Sequence, residues 1–226
     1  MDLAALISGG KDSMLALYRM RLLGHTIKYL LVMEPESTES YMFHHPNTWV
    51  AELISQTTGI KLVKEKTHGR KEEELSDLKQ LLQRVAGDVD GIVSGALAST
   101  YQKTRIDVLC SELSLTSHAP LWGIDPLELW AELFKNHFEV MVTAAASSGL
   151  DESWLGRVVD RRAFKELKAL SERHRFHLGF EGGEAETLVL DMPLYKKKIK
   201  VIEAEKIWEG SSGIYLIRKA VLEDKR

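Results

Sequence analysis

The chain has 226 residues, 44% hydrophobic and 28% charged, which is the composition of a globular protein rather than a disordered or fibrous one. A net charge of −3 gives no overall attraction to nucleic acid or to an anionic membrane, so neither partner is expected. The single cysteine, Cys110, excludes an intrachain disulfide. With no signal-peptide pattern and no apolar run of roughly 20 residues, this favours a cytoplasmic protein.

The first half of the chain alternates strand-like and helix-like segments. Leu3 to Ile7 predicts a buried strand, a turn at Ser8-Gly9-Gly10 follows, and a helix is predicted with Met14, Leu17, Tyr18 and Leu22 on its apolar face. Further strands are predicted at Ile27 to Met33, Ile60 to Val63, Gly91 to Ser94 and His118 to Leu121. The apolar faces of the intervening helices carry Trp49, Val50, Leu53 and Ile54, then Leu75, Leu78, Leu82 and Val85, then Ile106, Leu109 and Leu113. This alternation predicts an α/β fold with a doubly wound, mostly parallel sheet.

The pattern changes in the second half. Asp125-Pro126-Leu127-Glu128 predicts a capped helix start, and the helix continues through Phe134. Beyond residue 136 we predict a strand at Phe138 to Thr143, a helix and a hairpin. The helix has Phe164, Leu167 and Leu170 on its face, and the hairpin joins Ile199 to Trp208 with Ile214 to Leu222 across a longer loop, Gly210 to Gly213. We therefore predict a first domain of residues 1–136 and a smaller C-terminal α+β lobe of residues 137–226.

The turn Ser8-Gly9-Gly10-Lys11-Asp12-Ser13 is the strongest functional signal. It lies between a strand and a helix, where backbone N–H groups and the positive end of the helix favour an anion such as phosphate. The glycines permit close backbone approach, the serines offer hydroxyl groups, and Lys11 adds a positive charge. Neither G-x-x-x-x-G-K-[ST] nor G-x-G-x-x-G is present. The alternative is a purely structural glycine turn.

A second motif runs from Gly95 to Arg105, after the fourth predicted strand, at the edge of the sheet that carries ligands in such folds. Tyr101 and Arg105 are four residues apart and Gln102 and Arg105 three, so these side chains are expected to project together, with Arg105 available to bind an anion. The alternative is an exposed helix with an ordinary surface arginine.

A third motif, Glu181-Gly182-Gly183-Glu184-Ala185-Glu186-Thr187, brings three carboxylates together around a glycine turn. Their mutual repulsion favours a bound metal, cation or substrate amine. The alternative is a solvent-exposed acidic turn that precedes a strand.

These motifs carry a resemblance to known families. The first resembles the SGGxDS loop of the PP-loop, or N-type, ATP pyrophosphatases, in which the loop holds the β and γ phosphates. The second, continuing to Ala119-Pro120-Leu121-Trp122, and the third, as EGGE-x-ET, resemble signature stretches of the diphthine–ammonia ligase family, archaeal type. Ala185 stands where eukaryotic relatives tend to have tyrosine, which puts in doubt any role for an aromatic ring at this position.

The resemblance implies a HUP or Rossmann-like PP-loop domain and ATP-dependent amidation of diphthine on translation elongation factor 2. The reaction uses ammonium and Mg²⁺, proceeds through an acyl-adenylate, and releases AMP and pyrophosphate. On this interpretation the catalytic residues are Lys11, Asp12, Arg105, Glu184 and Glu186, with either Glu184 or Glu186 as base and Asp12 as the Mg²⁺ ligand. Nucleotide binding is assigned to Ser8, Gly9, Gly10, Lys11, Asp12, Ser13, Met33, His44 and Gly95, and substrate binding to Tyr101, Gln102, Glu181, Gly182, Gly183 and Thr187.

Several alternatives stay open. His44 lies in a loop after the second predicted strand, and a plain surface loop explains it equally well. Cys110 lies in a predicted helix with apolar neighbours, which favours free ammonium over a glutaminase nucleophile. Another PP-loop enzyme acting on tRNA, or a non-catalytic adenine-nucleotide-binding protein, would share the first motif. Homo-oligomerisation is left open.

Overall fold

A computed structural model describes residues 1–35, 47–67 and 73–225. The chain divides into two compact units: Met1–Ser8 with Asp12–Trp122 form unit 1, and Gly9–Lys11 with Gly123–Arg226 form unit 2. The predicted boundary at residue 136 stays a prediction, and residues 123–136 group with unit 2. Among the described residues, no helix has both the length and the apolar character that a bilayer crossing requires.

Unit 1 contains a five-stranded parallel sheet with helical crossovers, which confirms the predicted doubly wound α/β class. Its strands are β1 Asp2–Leu6, β2 Thr26–Pro35, β3 Lys61–Thr67, β4 Gly91–Val93 and β5 Thr116–His118, in the order β3-β2-β1-β4-β5. Its helices are α1 Lys11–Leu22, which starts in unit 2, α2 Ala51–Thr58 after a 3₁₀ turn at Thr48–Val50, α3 Glu73–Gln83 and α4 Thr100–Glu112.

The centre of the sheet is apolar on both faces. Leu3, Ala4 and Ala5 of β1 are all essentially inaccessible to solvent, as expected for a parallel strand covered by helices on each side. One core cluster combines Ala4, Leu31 and Ile92 with side chains from α3 and α4. The strand order reverses between β1 and β4, so the carboxyl ends of these two strands form the switch point at which such sheets bind ligands.

Two predictions for unit 1 were wrong in detail. Leu22 is 64% exposed, because α1 is buried around its circumference from Met14 to Tyr18 and only its last turn reaches solvent. The last strand is Thr116–His118 rather than His118 to Leu121. Its polar residues pair with Gly91–Val93, and the following residues turn away, with Trp122 N–H donating to the Ala119 carbonyl at 3.0 Å.

Unit 2 is an α+β structure with an antiparallel sheet of order β7-β6-β9-β8. Its strands are β6 Glu139–Ala145, β7 Ala185–Asp191, β8 Lys197–Glu209 and β9 Ser212–Asp224, and its helices are α5 Pro126–Lys135, α6 Arg161–His174 and a 3₁₀ turn at Glu152–Trp154. Helix α5 begins as predicted, since the Asp125 carboxylate accepts hydrogen bonds from Leu127 N–H and Glu128 N–H.

The predicted hairpin is present, but its loop is shorter than expected. Glu209 pairs with Ser212, so only Gly210, at φ +59°, and Ser211 form the turn. Further along the arms, Ile202 of β8 and Arg218 of β9 each form a bulge, since neither lies directly opposite a residue of the other strand in the register.

Candidate active site

The first motif follows β1, and its two ends, Ser8 and Ser13, both belong to unit 1 and contact one another. Ser8 N–H donates to the Ser13 hydroxyl at 3.2 Å, and the two serine hydroxyls lie 3.4 Å apart. The chain passes through Gly9 at φ +80°, a conformation that favours glycine. Because α1 starts at Lys11, the helix dipole and the N–H groups of its first turn form a local anion-binding feature.

Gly95 of the second motif packs directly against this turn. A Cβ atom at Gly95 would lie 2.6 Å from Ser13 N and 2.8 Å from the Asp12 carbonyl carbon, closer than real Cβ contacts. Glycine is therefore required for the segment after β4 to approach the start of α1. The structure brings the ends of β1 and β4 together at the switch point.

The rest of the second motif lies on α4. Ser99 caps the helix by accepting a hydrogen bond from Gln102 N–H at 3.3 Å. The Arg105 guanidinium stacks on the Tyr101 ring, 3.5 Å from its centroid, so the predicted i, i+4 pair is formed. This stack directs the guanidinium along the exposed first turns of α4, and it occupies one face of the ring.

In unit 2 the side chain of Lys11 is only 1% exposed. Its ammonium donates a hydrogen bond to the Gly179 carbonyl at 2.7 Å and lies 4.8 Å from the centroid of the Phe180 ring. Sequence reasoning missed both partners, since a backbone carbonyl has no sequence signature and Phe180 precedes the third motif.

The third motif packs against the first within unit 2. Lys11 N–H donates to the Thr187 hydroxyl at 3.1 Å, and Val189 N–H donates to the Gly9 carbonyl at 2.9 Å. The Thr187 hydroxyl thus satisfies a backbone donor at the start of α1. These contacts hold the two motifs against one another, although Lys11 and Thr187 are 176 residues apart in sequence.

The acidic turn precedes β7, and its glutamates have different surroundings. The two carboxylate oxygens of Glu184 accept hydrogen bonds from His177 N–H at 2.9 Å and Gly182 N–H at 2.8 Å. Gly183 adopts φ +79°. Glu181 is exposed and Glu186 is partly buried. Within the described ranges, no group of three His, Cys, Asp or Glu side chains is placed to hold a metal ion.

The remaining candidates are dispersed. Met33 is a partly buried residue of β2, paired with Glu65 of β3. His44 lies outside the described residues. Cys110 is 1% exposed, and burial, reinforced by the negative charge of Asp107, raises the pKa of its thiol to about 11. A thiol with this pKa is a poor nucleophile at neutral pH.

A doubly wound sheet with a glycine turn and a helix N-terminus at its switch point defines a nucleotide-binding type of α/β protein. Two family models match this chain: the diphthamide synthase N-terminal domain over residues 1–117 and the diphthamide synthase C-terminal domain over residues 125–222. The chain belongs to the diphthamide synthase family.

Curated relatives named diphthine–ammonia ligase support this assignment. The human protein is 33% identical over 91% of this chain and 84% of its own length. The zebrafish (Danio rerio) protein is 32% identical over 100% of this chain and 98% of its own length. The Schizosaccharomyces pombe protein is 34% identical over the whole chain, which spans only 40% of that longer relative.

One solved structure, described as a predicted subunit of tRNA methyltransferase from Methanocaldococcus jannaschii, is also similar. The two chains are 20% identical, and the match covers 85% of this chain and 98% of the solved one, with a TM-score of 0.47. A TM-score of this size supports no conclusion about function.

Proposed function

We propose that this chain converts the carboxylate of diphthine on translation elongation factor 2 to an amide, with ATP and ammonium as co-substrates. One observation carries the proposal: a glycine turn with a buried lysine, Lys11, begins α1 at the carboxyl end of β1 in a member of the diphthamide synthase family. We place the reaction in the cytoplasm, because a chain with one cysteine has no intrachain disulfide that would require an oxidising compartment.

The proposed chemistry has two steps. A carboxylate oxygen of diphthine attacks the α-phosphorus of ATP, and pyrophosphate leaves as the acyl-adenylate forms. Ammonium loses a proton to a base, the resulting ammonia attacks the acyl carbon, and AMP leaves with the bonding electron pair, while the attacking nitrogen releases a second proton to water to give the neutral amide. Catalysis of the first step is mainly positioning and neutralisation of charge, for which a preorganised set of N–H donors and a lysine are suited.

In this proposal Ser8, Gly9, Gly10, Lys11 and Ser13 bind the departing pyrophosphate and Gly95 keeps the turn in shape. Arg105 neutralises developing charge. Met33 and His44 remain candidates for the adenosine contact. Asp12 would hold Mg²⁺, which would neutralise phosphate charge. Mg²⁺ commonly binds one or two carboxylates and completes its coordination shell with phosphate oxygens and water, so a single aspartate fits this ion.

The acceptor substrates are assigned to the third motif and to the start of α4. Glu186 is proposed as ammonium anchor and base, because both oxygens of Glu184 already accept backbone hydrogen bonds. Glu181 is proposed to contact the trimethylammonium of diphthine, since Arg105 covers one face of the alternative, Tyr101. Gln102, Gly182, Gly183 and Thr187 complete the proposed substrate-binding set, with Thr187 acting through its bond to Lys11 N–H.

Replacement of Lys11 or Ser13 by alanine tests the proposal. With ATP, ammonium and diphthine-bearing elongation factor, we expect K11A and S13A to form AMP at least about 100-fold more slowly than the unsubstituted protein. A decrease of this size is typical for loss of one oxyanion donor. Chromatographic separation of AMP, ADP and ATP measures this. K168A, at an exposed lysine on α6, is the matched control and should retain full activity.

Unchanged AMP formation in K11A and S13A would contradict the assignment, and so would ADP as the product of the unsubstituted protein. A nucleotide sensor would bind ATP and make no AMP. An enzyme acting on tRNA would instead bind radiolabelled tRNA at physiological salt.

A further inference from the structure

Lys11 is held by a segment of unit 2 that begins before the third motif and overlaps its first three residues. We call residues 176–183 the lysine loop, because the Gly179 carbonyl and the Phe180 ring both contact the Lys11 ammonium. A lysine side chain has considerable rotamer freedom in water. Here the side chain is buried and its ammonium has a defined position.

The lysine loop is fixed at its N-terminal end by two hydrogen bonds to its carbonyls. The Trp130 indole N–H donates to the Leu178 carbonyl at 3.0 Å, in a buried position, and the Ser171 hydroxyl donates to the Phe176 carbonyl at 2.7 Å. These bonds attach the loop to α5 and α6, the two helices that carry Trp130 and Ser171.

Glu184 fixes the other end. Its carboxylate accepts His177 N–H and Gly182 N–H, so one side chain joins two points of the loop that lie on either side of Gly179 and Phe180. Hydrogen bonds to an ionised acceptor are stronger than neutral ones. A side chain at Gly182 would collide with this carboxylate, since a Cβ atom there would lie 2.8 Å from Glu184 Oε1.

Phe180 adopts φ +67°, which is a strained conformation for an aromatic residue. Such strain persists only where the surroundings enforce it, and it often accompanies a functional constraint. The surroundings here are an edge-to-face contact with Trp130, at 6.2 Å between ring centroids, and the bond from Gly183 N–H to the Phe180 carbonyl at 3.3 Å. In this conformation the ring faces Lys11.

We propose that Phe180 and Glu184 are positioning residues for Lys11, which they act on through the lysine loop. The loop holds the ammonium in place before nucleotide binds, so little side-chain freedom remains to be lost when the phosphates arrive. The inference rests on the proposed function, and it replaces the predicted role of Glu184 as a base with a role in ATP binding.

The first experiment is a double-mutant cycle on ATP affinity, measured by calorimetry with the full chain. F180L keeps an apolar side chain of similar bulk and removes the ring. We expect it to weaken ATP binding about three- to thirtyfold, the range for loss of a desolvated cation–π contact. In the K11M background the same change should have less than about a twofold effect.

F164L is the matched control, since Phe164 also contacts Trp130, at 5.4 Å between centroids, and the change removes a ring from the same aromatic group. It should leave ATP affinity unchanged even where it lowers the melting temperature. Equal effects of F180L with and without K11M, or an equal loss of affinity in F164L, would overturn the role of Phe180.

The second experiment separates the two roles of Glu184. In E184Q the amide nitrogen cannot accept a hydrogen bond, so one of the two bonds from His177 N–H and Gly182 N–H is lost. A positioning role raises the ATP Kd and the KM for ATP and leaves the KM for ammonium unchanged. A base role lowers the amidation rate and leaves the ATP Kd unchanged, which would overturn the proposal for Glu184.

D151N is the matched control for E184Q, because Asp151 in the same unit also accepts a backbone hydrogen bond, from Ser153 N–H at 2.9 Å. It should not change the ATP Kd. If the unsubstituted protein shows no ATP affinity, the proposed function fails and this inference fails with it. If the unsubstituted protein binds ATP and makes AMP, and E184Q and F180L bind ATP as tightly, only the inference fails.

Discussion

At the scale of single residues, Gly95 shows how an absent side chain determines the geometry of a site. The backbone after β4 approaches the start of α1 so closely that no Cβ atom fits there. Because the obstructing atoms are backbone atoms of Asp12 and Ser13, a rotamer change cannot relieve the clash, and the turn itself must move.

We therefore expect G95A to lower the free energy of unfolding by about 1–3 kcal/mol, the usual cost of overpacking, and to weaken ATP binding as well. Urea denaturation and calorimetry measure the two effects. G87A is the matched control, because a Cβ atom at Gly87 meets no atom within 4 Å. If G95A bound ATP as tightly as G87A, the close approach would not matter to the site.

Residue types and local spacing predicted part of the local geometry of the candidate site. The turn around Lys11, the pairing of Tyr101 with Arg105 and the acidic turn before β7 all depend on neighbours within a few positions, and the structure contains each of them. The contact of Lys11 with Gly179 spans 168 residues and ends on a backbone carbonyl, so no local pattern could indicate it.

At the scale of elements, α5 is the helix whose start the sequence specified best. Asp125 caps its first turn, and the helix buries Leu129, Trp130 and Leu133. Trp130 also donates the hydrogen bond that holds the lysine loop. The stability of this helix start is therefore connected to the part of unit 2 that surrounds Lys11.

We expect D125A to lower the free energy of unfolding by about 1 kcal/mol, because two N–H groups of the first turn lose their acceptor. D125N should behave like the unsubstituted protein, since asparagine caps helices as well as aspartate does. Chemical denaturation compares the three proteins. A free energy for D125A equal to that of D125N would show that the cap contributes nothing.

The elements that were predicted less well share a physical cause. Leu22 on α1 was assigned to the apolar face, but the burial of each residue of α1 depends on what surrounds that turn of the helix rather than on the helical spacing of the apolar residues. Among the strands of the described ranges, β5 lies at one edge of the sheet, and its polar residues lack the apolar run that revealed β1. Hydrophobic pattern indicates an element; tertiary surroundings determine its ends.

At the scale of the whole molecule, the order of strands in unit 1 was not predictable beyond its class. Alternating strands and helices indicate a parallel sheet, but several orders satisfy that pattern. The observed order places β1 beside β4 and so brings the first two motifs together. The antiparallel sheet of unit 2 was anticipated only at its β8–β9 hairpin.

Overall stability should depend on pH through His118. Burial, with a smaller contribution from His25, whose ring centroid lies 6.2 Å away, lowers the pKa of His118 from its usual value of 6.5. The unfolded chain therefore takes up a proton at a higher pH than the folded protein does. The contribution of neutral His118 to stability is therefore full above pH 6.5 and decreases as the pH falls below it.

We expect the melting temperature to fall between pH 6.5 and the lower pKa of folded His118, and H118Q to make this fall shallower. Scanning calorimetry at several pH values measures the slope. Above pH 7 the difference between the two proteins should not vary with pH. An unaltered slope in H118Q would assign the acid sensitivity to other groups.

The hairpin of unit 2 constrains how its length can change. Each arm has one bulged residue, Ile202 on β8 and Arg218 on β9. The register shift caused by one bulge cancels the shift caused by the other, so the outer ends of the arms keep the register that the two-residue turn sets. Removal of either residue alone would convert one bulge into regular pairing, whereas removal of a paired residue between them and the outer end would slide the outer segment by one position and turn Ile199, now 2% exposed, toward water. Single losses of residues in this ribbon should therefore occur at these two bulged positions rather than at the paired ones.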